Sequence, residues 1–209
     1  MRTRWMTWIV GVWLLGLPVG AAAEQMPPPP GQLNFLPSPI SRTAAHASAT
    51  PLVDQIAASH RTPSAIAAFL REGFTFRRDE DLFGEADRWQ SPEEFLQRRV
   101  GDCEDYALLA QALLRRNGIE SYVLSLLGEE GYAHTVAVFV DAEGCYNLLN
   151  QDKLRLYRAP SLEALASRLY PSWTVAMIAE QDGTRGRIVQ ELLNEHPGPS
   201  LDEPPNLDF

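Results

Sequence analysis

At Gly118 the apolar pattern of this chain changes period, and that change limits what it can fold into. From Cys103 to Asn117, Tyr106, Leu109 and Leu113, flanked by Leu108 and Ala112, recur at helical spacing, and Gly118 supplies the stop. Beyond it the repeat falls to two. Residues 121–126, 132–140 and 145–150 read as strands rich in Val, Leu and aromatics. Two shorter helices precede the buried one. Thr62 is an N-cap with Pro63 at the first helical position and Gly73 as stop, and Ser91, Pro92 and Glu94 open a second helix that runs to about Arg99. Residues 161–169 predict a further helix and 173–179 a last strand. Helices first and strands afterwards predict an α+β domain, with N-terminal helices packed on an antiparallel sheet.

The ends of the chain do not take part in that pattern. Residues 1–23 carry two arginines, an apolar stretch and an Ala21-x-Ala23 cleavage pattern, which predicts a secretory signal and a periplasmic or secreted protein with no membrane insertion after cleavage. Residues 24–50 form a proline-rich linker, since proline fixes φ and removes a donor. Residues 194–209 form a loose tail. The working domain is therefore expected over 51–193. Its partners are constrained by charge: Lys+Arg 18 against Asp+Glu 27 gives −9, which excludes a general nucleic-acid binder. Two cysteines, Cys103 and Cys145, are too few for a four-thiolate zinc site or a disulfide-stapled scaffold.

One constellation could do chemistry. Cys103 opens the buried helix, where free N–H groups and the positive dipole end favour thiolate, the nucleophilic form. His134 lies near the start of a strand, and Asn150 and Asp152 near the end of the next. The turn Asp141-Ala142-Glu143-Gly144 suits a type I turn closed by a left-handed glycine, which pairs Asp141 with Cys145. That register sets His134 opposite Asp152 and Val136 opposite Asn150. Side chains alternate, so His134, Asn150 and Asp152 share one sheet face and Cys145 takes the other, away from a disulfide with Cys103. Either Asn150 or Asp152 satisfies this geometry as the group that orients His134.

The runs F-T-F-R-R-D (74–79), D-R-W-Q-S-P-E-E-F-L (87–96), G-D-C-E-D-Y-A (101–107), A-H-T-V-A-V (133–138) and N-L-L-N-Q-D (147–152) resemble bacterial transglutaminase-like cysteine peptidases. The resemblance covers about residues 62–180. It implies a papain-like α+β fold, a protein or peptide substrate, and a thioester acyl-enzyme formed by Cys103 as nucleophile, His134 as base and Asn150 as third member. The family usually has Asp where Asn150 stands; Asn orients an imidazole but cannot stabilise its cation by charge, so Asp152 is kept beside it.

Asp102, Glu104 and Asp105 flank the thiol, and as like charges they oppose its ionisation. Their side chains are therefore expected to be engaged elsewhere. Asp102 can cap the helix with Asp105 three residues on, in which case no cofactor is required. The alternative is a cation, since clustered carboxylates suit calcium, and a calcium-dependent periplasmic subgroup of the resembled family uses acids matching Asp102 and Glu104. Two functions are thus open: a thiol hydrolase of amide bonds, or a non-catalytic module that uses the same cleft to hold a protein or cell-envelope polymer.

Overall fold

The computed structural model describes residues 51–128 and 133–198. The expected signal segment, linker and distal tail lie outside those residues. Six helices and eight strands follow in the order α1 (Pro51–Ser59), α2 (Pro63–Gly73), β1 (Thr75–Phe76), α3 (Asp79–Phe83), α4 (Pro92–Arg98), β2 (Val100–Gly101), α5 (Cys103–Arg116), β3 (Ser121–Gly128), β4 (Ala133–Val140), β5 (Tyr146–Asn150), β6 (Lys153–Ala159), α6 (Leu162–Leu169), β7 (Trp173–Asp182) and β8 (Arg185–Leu193). The last six strands form one antiparallel sheet in the order β6-β5-β4-β3-β7-β8, and β1 and β2 make a short parallel pair.

Two apolar layers sandwich the large sheet. Helices α1, α2, α4 and α5 bury Ile66, Leu70, Phe95, Leu109 and Leu113 against the face carrying Val123, Ala137, Phe139, Leu149 and Ala179. Helix α6 covers the other face, where Leu165 and Leu169 meet Leu124, Leu126, Val136, Val138 and Leu148. Alternation along β4 and β5 assigns these residues to their layers, as a period of two requires. Burying a Leu or Phe side chain is worth roughly 1.5–3 kcal/mol, so α5, which buries ten of its fourteen residues, is the helix on which the domain's stability most depends.

Local signals place the elements as expected, with small corrections. Thr62 and Ser91 accept from the backbone N–H groups of Ala65 and Glu94. Helix α5 stops at Gly118, whose φ of +73° is the left-handed conformation that a side chain disfavours. Gly73 does not act this way: it ends α2, Phe74 follows in extended conformation, and the glycine makes room for Arg99, whose Nη1 lies 2.6 Å from where a Cβ would sit. Glu94 does not close a capping box; its carboxylate holds Arg88 and Arg98 at 2.9 and 3.0 Å. Strands β6 and β8 and helices α1 and α3 go beyond the sequence expectation. Gly198, inside the segment expected to be loose, donates to the Pro171 carbonyl at 2.9 Å.

Candidate active site

The β4–β5 hairpin sets the geometry. Asp141 N–H donates to the Cys145 carbonyl at 2.9 Å, Gly144 turns at φ +78°, and Asp141 Oδ1 accepts from Cys145 N–H at 2.8 Å. The strands pair Val140 with Tyr146 and Ala137 with Leu149, the register that the turn predicts. His134 and Asn150 consequently lie on the same side, and His134 Nε2 sits 2.8 Å from Asn150 Oδ1. An amide oxygen only accepts, so Nε2 carries the proton and the lone pair of the neutral ring is on Nδ1. Both residues are buried. Burial pushes the His134 pKa below the usual 6.5, and the Asn150 bond offsets part of that shift.

Asp152 is not part of this arrangement. Strand β5 ends at Asn150, the chain turns through Gln151 at φ +51°, and Asn150 pairs with Lys153. Asp152 therefore lies in the turn rather than opposite His134. Its carboxylate meets Arg71 Nε at 3.1 Å, and Arg71 Nη2 donates to its carbonyl at 3.1 Å, tying α2 to the β5–β6 turn. Register alone could not reveal this, because the alternation holds only while the strand continues.

Cys103 is the first residue of α5, and the backbone N–H of Thr135, one residue beyond His134, favours its thiolate form. The thiol in turn donates to Glu104 Oε2 at 3.2 Å. Burial first, then the charges of Glu104 and Asp102, push the thiol pKa well above its ordinary value, while the Thr135 N–H works the other way. Both cysteines are free, as the opposite-face assignment of Cys145 requires.

The carboxylates around the thiol divide into two sets. Asp105 is fully buried and accepts from Gln90 N–H at 2.8 Å, from Gln90 Nε2 at 2.5 Å and from Asp102 N–H at 3.2 Å. It locks the loop before α5 onto the 89–90 segment. Burial raises its pKa to about 7 against the opposing effect of those bonds. Gly101 permits the close approach, since a Cβ there would lie 2.1 Å from Asp105 Oδ2.

The second set is Asp79, Asp102 and Glu104, whose ligand oxygens lie within 4.8 Å of one another. Asp79 opens α3, is 1% exposed, and accepts the Arg88 N–H through Oδ2. Asp79 Oδ1 and Asp102 Oδ1 are buried without a hydrogen-bond partner. Desolvation raises all three pKa values, reinforced by the charge of Asp87 on Asp79, of Asp79 on Asp102 and of Asp102 on Glu104; Asp102 rises to about 6 and Glu104 to about 10. Three crowded carboxylates with two orphaned oxygens are a donor set that suits a hard cation such as calcium. Asp79 had no assigned role in the sequence, although it closes the F-T-F-R-R-D run; its acidic neighbours Glu80 and Asp81 make it read as part of a solvated face.

A sequence-family profile described as a transglutaminase-like domain matches residues 51–160, more than half of the chain. The chain belongs to the transglutaminase-like family. A UPF0252 protein of Archaeoglobus fulgidus is 37% identical over 62 residues, 30% of this chain and 20% of that protein, so the chain spans about a fifth of the curated relative's length. Among solved structures, this transglutaminase-like domain is similar to Legionella pneumophila LapG in its calcium-bound form, with a TM-score of 0.46 and 18% identity over 75% of this chain and 84% of that one. The periplasmic domain of TgpA from Pseudomonas aeruginosa gives a TM-score of 0.35 and 20% identity over 54% and 45% of the two chains. Both likenesses are distant and confined to the fold.

Proposed function

We propose that this transglutaminase-like domain is an exported, calcium-dependent cysteine hydrolase of protein amide bonds, with residues 51–193 as its working unit. The observation that carries the reading is the His134–Asn150 bond of 2.8 Å, on a strand whose next residue, Thr135, has its N–H favouring the Cys103 thiolate at a helix N-terminus. Cys103 Sγ attacks the scissile carbonyl while its proton passes to His134 Nδ1. Asn150, by holding Nε2–H, fixes the tautomer that leaves Nδ1 as the proton acceptor. The backbone N–H of Cys103 faces the developing oxyanion. Collapse returns the proton from Nδ1 to the leaving amine and leaves a thioester, which water hydrolyses with the same histidine as base.

Asp79, Asp102 and Glu104 would hold the calcium, their paired burial and orphaned oxygens being the fit. The bound ion supplies positive charge that offsets the carboxylates opposing the thiolate. As one of its ligands, Glu104 would no longer hold the thiol proton. The opposite observation, a thiol held protonated by burial and by Glu104, favours the second reading, a non-catalytic module that binds protein or envelope polymer in the same cleft.

One experiment separates them with its reference built in. Iodoacetamide labelling of Cys103 and Cys145 in the same protein is followed by mass spectrometry near pH 6, in calcium and in chelator. The hydrolase reading expects Cys103 to label faster than Cys145 in calcium and to lose that advantage in chelator. Equal or slower labelling of Cys103 in both conditions removes it. Release of new N-termini from a protein substrate, absent in Cys103→Ala, then reports hydrolysis, and incorporation of a labelled amine reports transamidation.

A further inference from the structure

We infer that β8 is the docking edge for a second copy of this chain, pairing antiparallel with its counterpart so that two six-stranded sheets become one. Strand β8 is an outer edge of the sheet, and an edge strand presents unpaired N–H and C=O groups that template a further strand. Every residue from Arg185 to Glu191 is exposed. Of the six large hydrophobic residues exposed among the described residues, Ile188 (53%), Val189 (44%) and Leu193 (68%) lie on this one strand. Isolated exposed hydrophobics need no explanation, but a cluster on a free edge marks an interaction surface.

The edge is also held in place. At its start Trp89 N–H donates to the Thr184 carbonyl at 2.9 Å, and the Trp89 ring fills the space beside Gly186, 2.3 Å from where a Cβ would be. At its end Asn194 N–H donates to Thr174 at 2.9 Å and Asn194 Nδ2 to Trp173 at 2.8 Å. A partner would therefore meet a preformed strand and order little of it.

Charge selects the partner. Arg185 and Arg187 occupy the first half of the strand, Glu191 lies in the second, and Glu195 follows just beyond its end. A copy laid antiparallel sets basic half against acidic half, whereas a parallel copy sets like against like. Centring the pair on Val189 places Arg187 opposite Glu191 of the second copy, twice by symmetry. Val189 is the extra residue of a bulge, between Gln190 paired with Ile178 and Ile188 paired with Ala179, so this apolar side chain sits on the two-fold axis. Arg187 already holds Glu180 at 2.7 Å, and its guanidinium has donors left for a second carboxylate. Glu191 makes no ion pair among the described residues. The other edge, β6, is less suited, because Arg168 covers the Tyr157 carbonyl at 2.5 Å.

The test is the mass of the full chain by light scattering at ~100 µM, enough to populate a dimer of micromolar Kd. Wild type is expected at twice the monomer mass and Val189→Lys at the monomer mass with unchanged circular dichroism. Arg187→Glu and Glu191→Arg are each expected to be monomeric, and the double variant dimeric again, because the two charges exchange places. A monomeric wild type, a dimeric Val189→Lys, dimeric single charge variants, or a double variant that stays monomeric overturns the inference. None of these residues belongs to the active site, so the result is independent of the hydrolase reading.

Discussion

Replacing Asp102 by Asn is expected to stabilise the protein when divalent cations are absent. Asn caps a helix about as well as Asp, so the change removes charge while keeping the start of α5. The folded structure raises the Asp102 pKa from 3.8 to about 6, by burial first and by the neighbouring acids next. A raised carboxylate pKa means that the folded state binds more protons than the unfolded one, so its contribution to stability falls as pH rises above about 4 and reaches its full penalty above pH 6. Two units correspond to roughly 3 kcal/mol. Loss of the favourable interaction of a negative charge with the helix dipole takes back about 0.3–1 kcal/mol, leaving about 2 kcal/mol, or roughly 4–8 °C in Tm for a domain of this size. The assay is thermal unfolding of wild type and Asp102→Asn in chelator from pH 4 to 8. Taking the difference between variants cancels His134, whose lowered pKa acts in the opposite direction. The difference should be small near pH 4, grow through pH 5–6 and level off above. Calcium should reverse the order, because wild type gains ~2.7 kcal/mol at a hundredfold excess over Kd and the variant loses a ligand. An Asp102→Asn protein that is less stable than wild type in chelator at pH 7.5, or a difference independent of pH, would falsify the account of the acidic cluster.

Three further predictions follow from the same geometry. Asn150→Ala should lower kcat by on the order of 100-fold, whereas Asp152→Ala should change kcat little and stability by less than about 1 kcal/mol, since it loses only a surface bridge to Arg71; steady-state kinetics of the pair check this, and equal losses would mean that the turn carboxylate acts on His134 after all. Asn150→Asp should raise the His134 pKa by about 1–3 units, because a carboxylate favours the imidazolium; an imidazole NMR titration in a Cys103→Ala background measures it, and an unmoved pKa would place the residue-150 side chain away from the ring. Gly101→Ala should destabilise by more than about 2 kcal/mol, as its Cβ meets the Asp105 carboxylate at 2.1 Å; denaturant unfolding reads it, and near-wild-type stability would mean that the Gln90–Asp105 lock is looser than described.

How much of this was legible in the sequence depended on whether a residue's surroundings were local. The caps at Thr62 and Ser91, the stop at Gly118 and the left-handed Gly144 act within a turn, and they placed three helices and the hairpin register. The register in turn brought His134 to Asn150 across 16 positions of sequence. The same reasoning misplaced Asp152 because nothing local marks where β5 ends: the positive φ of Gln151 is imposed by a β6 strand that the alternation did not announce. Asp79 and Gln90 were invisible for a related reason. Each matters through one long-range contact, Asp79 with Asp102 and Glu104 and Gln90 with Asp105, and each sits in a short polar stretch with no periodicity of its own.

That division has a consequence for the chemistry. The locally encoded parts, the α5 N-terminus and the hairpin, bring the sulfur to the Thr135 N–H and the imidazole to Asn150. The non-local part is Asp79, which α3 brings to Asp102 and Glu104, the two acids beside the thiol that oppose its ionisation. Asp79→Asn should therefore leave the His134–Asn150 bond in place while changing how the thiol responds to a cation. On the hydrolase reading, a domain assembled in this way folds with its thiol protonated and inert, and becomes reactive when positive charge reaches the cluster.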